Sequence, residues 1–186
     1  MKHLLTIAAL AAFAVSSAGA AQPVPADQFF AQLTTLCGKA FEGKVVTTDP
    51  LDKDFEGKRL VMKVAVCTDK EIRIPFAVGE DRSRTWVISR IEMARLRLKH
   101  DHRHKDGTED ALSQYGGDSV TFGSAFRQEF PADAFSKTLF KEKGNPASVT
   151  NVWAVEVHPG KTYAYELRRE NRFFRVEFDL TKPLAD

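Results

Sequence analysis

Arg95-Leu96-Arg97-Leu98-Lys99-His100-Asp101-His102-Arg103-His104 alternates strictly between two kinds of side chain. Successive residues of a β-strand point to opposite faces. Leu96, Leu98, His100, His102 and His104 therefore share one face, and Arg95, Arg97, Lys99, Asp101 and Arg103 share the other. Leucines on one side and charges on the other mark a strand with one buried and one solvated face, as antiparallel sheets have. Asp106-Gly107 follows. Both residues tolerate positive φ, so the pair predicts a tight two-residue hairpin with a returning strand over 109–115.

The same alternation extends in both directions. Leu60, Met62, Val64 and Val66 lie at every second position, as do Ile72, Ile74, Phe76 and Val78. Towards the C-terminus, Trp153, Val155 and Val157 form one such row, Tyr163, Tyr165 and Leu167 a second, and Phe174, Val176, Phe178 and Leu180 a third. Strands are expected over 44–48, 59–68, 71–78, 85–92, 95–105, 109–115, 120–130, 151–157, 162–169 and 173–180. Pro75 marks an edge or a bulge within its run. Two segments change to helical spacing. Residues 27–41 bring Phe29, Phe30, Leu33, Leu36 and Phe41 to one side, with Asp27 as cap and Gly38 as a possible early stop. Asp133 caps a second helix that ends at Gly144. Nine or ten short strands joined by regular turns predict a mostly β fold, an antiparallel up-and-down barrel with an N-terminal helix and one late helix.

The first twenty residues read differently. Lys2 precedes an apolar run from Leu4 to Val15, and Ala18-Gly19-Ala20 supplies the small residues of a cleavage site. That is the layout of an export signal, 1–20, ahead of a single barrel domain, 21–186, with cleavage after Ala21 nearly equivalent. The run is shorter than the ~20 residues of a membrane-spanning helix, and no later segment is long and apolar enough, so no membrane span is expected. A periplasmic or secreted location is oxidising, so the two cysteines, Cys37 and Cys67, are expected to form a disulfide. The formal net charge of +2 includes Lys2, so the exported chain is close to neutral. That argues against nucleic acid as a partner. The cluster of basic residues between Arg82 and Lys105 is interleaved with acids and is expected to form cross-strand ion pairs.

The histidine row carries the chemistry. Its leucines point to the core, so His100 and His102 are expected at the rim of an interior cavity, together with Tyr115 and Trp153, as a small-molecule site. A two-residue turn would set His104 opposite Glu109. Adjacent rings in H-x-H spacing can share one metal ion, and a carboxylate can complete or orient such a set, so His102, His104 and Glu109 are the candidate ligands of a transition metal. Glu156 and His158 are remoter candidates. Zinc, copper, nickel and iron would all suit these donors. No nucleophile elbow, phosphate loop or H-E-x-x-H motif occurs.

Four stretches, Ile74-Pro-Phe-Ala-Val-Gly-Glu-Asp-Arg-Ser-Arg-Thr-Trp86, Leu96–His104, Tyr115-Gly-Gly117 and Ser148-Val-Thr-Asn-Val-Trp153, together resemble an uncharacterised family of small exported proteins of Gram-negative bacteria. The likeness spans nearly the whole chain after the leader and implies no activity. In architecture the strand count is similar to calycin barrels, although the early G-x-W motif of lipocalins is lacking. Barrel shape implies a cavity and nothing more. Three functions are therefore expected in order: an exported binding module for a small ligand, a metal-dependent enzyme using His100, His102 and His104, and an envelope structural or interaction protein.

Overall fold

The computed structural model describes residues 24–185, so the expected leader lies outside the described residues. The chain folds as a nearly closed antiparallel barrel, as the alternation predicts. Helix α1 (Pro25–Thr34) leads into β1 (Ala40–Val45), β2 (Leu60–Lys63), the two-residue β3 (Val66–Cys67), β4 (Glu71–Val78), β5 (Asp81–Ile91), β6 (Arg95–His102) and β7 (Tyr115–Asp118). Then come β8 (Arg127–Pro131), α2 (Ala134–Glu142), β9 (Val152–His158), β10 (Thr162–Arg169) and β11 (Arg172–Pro183). Ten strands run in the order β7-β6-β5-β4-β2-β1-β11-β10-β9-β8, and β3 lies off this path against β4.

The interior is built from the alternating rows. Ile72, Ile74, Trp86, Ile88, Leu96, Leu98, Trp153, Val155, Tyr163, Val176 and Phe178 are all buried. Cross-strand neighbours such as Ile74, Trp86 and His100 align on this inner face. Outside, the charges of the basic stretch pair as the interleaving predicts: Asp101 accepts from Arg73 and Arg103, Asp118 from Arg97 and Asp133 from Lys99.

The ends of the barrel differ. At one end α1 packs against β8 and β9. Phe29, Phe30 and Leu33 of this helix are buried in the core. Arg90, near the end of β5, lies 4.3 Å over the Phe30 ring and pairs with Asp27. The Cys37–Cys67 disulfide joins the turn after α1 to β3 at this same end. This end is therefore plugged. The other end carries the long connections 46–59, 103–114 and 143–151.

The two ends of the strand order, β7 and β8, share no ladder, and α2 closes the seam between them. The Asp133 amide donates to the Gly116 carbonyl at 2.9 Å. The Ser136 hydroxyl donates to that same oxygen at 2.9 Å and accepts from the Gly116 amide at 2.7 Å. Asp133 caps α2, as expected, through the Ser136 amide. The two chains approach so closely that a Cβ at Gly117 would stand 1.8 Å from the Pro131 carbonyl oxygen.

Several local expectations need correction. Helix α1 stops at Thr34 rather than 41. Val24 and Pro25 begin it with no side-chain cap, and Gly38 (φ +82°) turns the chain towards β1. The strand expected over 59–68 is broken after Lys63, and β4 pairs with β3 through Ile72 and Arg73 and with β2 from Phe76 to Val78. Pro75 falls opposite this break, where its missing N–H deprives no partner. Of the strands expected over 109–115 and 120–130, only Tyr115 and residues 127–130 lie in strands, which run on to Asp118 as β7 and to Pro131 as β8. Gly116 and Gly117 belong to β7.

Candidate functional site at the open end of the barrel

Strand β6 and the loop after it deliver their histidines to three different environments. His100 is buried, 3% exposed, at the centre of an aromatic wall. Its ring stacks on Tyr115 at 4.5 Å and lies 5.0 Å from Trp153. Its Nδ1–H donates to the Tyr115 carbonyl at 3.0 Å, because a carbonyl can only accept. Nε2 is then the bare nitrogen and accepts from the Tyr165 hydroxyl at 2.7 Å. Burial favours the neutral ring and pushes the imidazole down to about 3. His102, one pair further towards the open end, is half-buried with Nε2 3.2 Å from the Tyr115 hydroxyl. Its titration is also shifted down, first by burial and then by the Arg84 guanidinium. His104 is exposed, with Nδ1 3.8 Å from a carboxylate oxygen of Asp110.

The hairpin after β6 explains why these residues do not form the expected metal set. The Gly107 amide donates to the His104 carbonyl and the His104 amide to that of Thr108, which makes a three-residue loop with Gly107 at φ +85°. Arg103, not His104, faces Glu109. Beyond it residues 110–114 bulge, so the ladder resumes with His100 opposite Tyr115. Glu109 turns to Gln114 and Arg103. His102, His104 and Glu109 are therefore not brought together. Among the described residues no three His, Cys, Asp or Glu side chains are placed to hold a metal ion. The remoter pair is also committed elsewhere, Glu156 accepting from Arg127 and Arg175 on the outer face.

The expected small-molecule residues do converge. His100, His102, Tyr115 and Trp153 line one cavity of about 230 Å³. Trp86 and Tyr165 line it too, so both tryptophans of the chain face it. Phe76, Trp86 and Tyr165 form a continuous stack, with centroid spacings of 4.6 and 4.5 Å. The loop 46–59 contributes Phe55 and is pinned in place by Arg172, whose guanidinium pairs with Asp49 at 3.0 Å and with Asp52 at 2.5 Å. The exposed Asn145 among the lining shows where the cavity meets solvent.

Arg84 and Arg169 line the site without any signal of it in the sequence, and Tyr165 reads there only as one of several aromatics on alternating strands. Their alternation was visible, but nothing local announces that β10 lies across the barrel from β6. No family model matches the chain, and no curated protein or solved structure matches it. No helix among the described residues is long and apolar enough to cross a membrane.

Proposed function

We propose that this chain is an exported binding module that takes a small ligand into the open end of its barrel. One observation carries the reading. A cavity of about 230 Å³ reaches solvent at one end, while its walls are aromatic and hold a few fixed polar groups. Apolar walls with convergent polar groups are the usual form of a small-ligand site. The neutral His100 is held rigidly between Tyr115 and Tyr165, which suits recognition better than proton shuttling near neutral pH. The Cys37–Cys67 disulfide agrees with an oxidising compartment, and the proposed location is periplasmic or secreted.

Two measurements test this. Non-denaturing mass spectrometry of the exported protein should find a small molecule bound one to one. Two-ring aromatic probes should quench the fluorescence of Trp86 and Trp153 saturably, and Ser148→Phe, which fills the mouth, should abolish the quench. Finding neither a bound molecule nor a saturable quench would overturn the reading. A metal-dependent enzyme has no three converging donors in its favour among the described residues. A role as an envelope interaction protein is the second reading, favoured by the exposed Val120, Phe122 and Phe126 before β8. It predicts sedimentation with envelope fragments that Phe122→Ser prevents while probe binding persists.

A further inference from the structure

The wall of the cavity carries cations and no carboxylate. Arg84, Arg169 and Arg172 reach it, and neither Asp nor Glu is among its lining residues. Two of these charges are balanced. Asp49 and Asp52 hold Arg172, and Asp81 holds Arg84. Arg169 differs. It ends β10, and among the described residues its partner is the neutral side chain of Asn151, whose Oδ1 accepts at 3.2 Å. A guanidinium has five N–H donors in a planar fork, so most of its capacity and all of its charge remain uncommitted.

Its position gives the charge a direction. Tyr165, Leu167 and Arg169 occupy alternate positions of β10 and all line the cavity. At strand spacing this row covers roughly 13 Å, from the tyrosine that hydrogen-bonds His100 out to the guanidinium. The deep end is aromatic and neutral, and the outer end is cationic. We infer that the cavity takes a small apolar anion, with its apolar body against Trp153 and Tyr165 and its carboxylate or phosphate group on Arg169. The inference rests on the ligand-binding reading above and names the ligand's chemical class. The volume sets its size. An apolar cavity of about 150 Å³ admits one benzene ring, so about 230 Å³ suits a body of one or two rings or a short chain.

Calorimetric titration of the disulfide-bonded protein with 2-naphthoate, 2-naphthyl phosphate and the uncharged 2-naphthamide tests it. At least one anion should bind about tenfold or more tightly than the amide, as a charge-assisted hydrogen bond confers. The stronger of the two identifies the head group as carboxylate or phosphate. Arg169→Gln should remove that advantage, weakening the anion far more than the amide, while Arg169→Lys should retain part of it. Unfolding curves confirm that both variants are folded. If the amide binds as tightly as both anions, or Arg169→Gln weakens all three probes alike, the anionic ligand is refuted and the cavity reading survives. If none of the three binds, both fall.

Discussion

The Tyr165 hydroxyl donates to His100 Nε2 at 2.7 Å across the barrel interior, joining β10 to β6 through side chains alone. Strands four places apart in the sheet order on one side and six on the other are linked by no backbone bond. Replacing Tyr165 with Phe removes the one donor that the described residues offer to a buried imidazole nitrogen. An unsatisfied buried acceptor costs about 1–3 kcal/mol. Urea unfolding of Tyr165→Phe should show a loss in that range. A loss within error of zero would mean that the bond is replaced by water.

Acid should weaken the fold through its buried imidazoles. Imidazole in the unfolded chain has a pKa near 6.5, whereas His100 is held down at about 3 by burial and His102 is shifted in the same direction. Below about pH 6.5 the unfolded chain therefore binds protons that the folded chain refuses. The stability contributed by keeping His100 neutral is complete above that pH. It is lost at about 1.4 kcal/mol per pH unit as the pH falls towards 3. Denaturant midpoints between pH 7.5 and 5 should fall, and His100→Gln should flatten the slope.

Gly117→Ala probes the seam closed by α2. The added methyl meets the Pro131 carbonyl oxygen at 1.8 Å, a distance no side-chain rotation relieves, so β7 and β8 must separate. Overpacking typically costs about 1–3 kcal/mol, and a clash with backbone should reach the upper end or beyond. Gly117 lies outside the left-handed region, so its loss is wholly steric, whereas Gly107→Ala, at φ +85° with open space around it, shows what left-handed strain without a clash costs. A Gly117→Ala loss within error of zero would refute a steric role for Gly117.

Reduction should act at the plugged end. The Cys37–Cys67 disulfide closes a loop with a sequence separation of 30 residues. In the chain-entropy model its removal costs roughly 3–4 kcal/mol. Paired Cys37→Ser and Cys67→Ser substitutions should lower stability by that amount. Probe affinity should stay unchanged, because neither cysteine lines the cavity at the opposite end.

Most of the architecture was legible in the sequence because burial in a sheet is written with a period of two. Leu96, Leu98 and His100, or Phe174, Val176 and Phe178, reveal their inner face without any knowledge of their neighbours. The strand 162–169 and the Asp133 cap were readable to the residue for the same local reason. The convergence of His100, His102, Tyr115 and Trp153 followed from extending those rows to one end of a barrel.

What the alternation could not determine is register and distance through space. Three loop residues rather than two follow His104, and the bulge at 110–114 follows those. Together they move Glu109 away from the histidines and set Tyr115 beside His100. Such a shift depends on how the bulged chain packs, not on the turn pair Asp106-Gly107 alone. The hydrogen bond from Tyr165, the closure of β7 against β8 by Ser136, and the unbalanced charge of Arg169 likewise join residues far apart in the chain. Only closure of the sheet into a barrel brings them together, since a side chain's partners across the interior leave no periodic trace along its own strand.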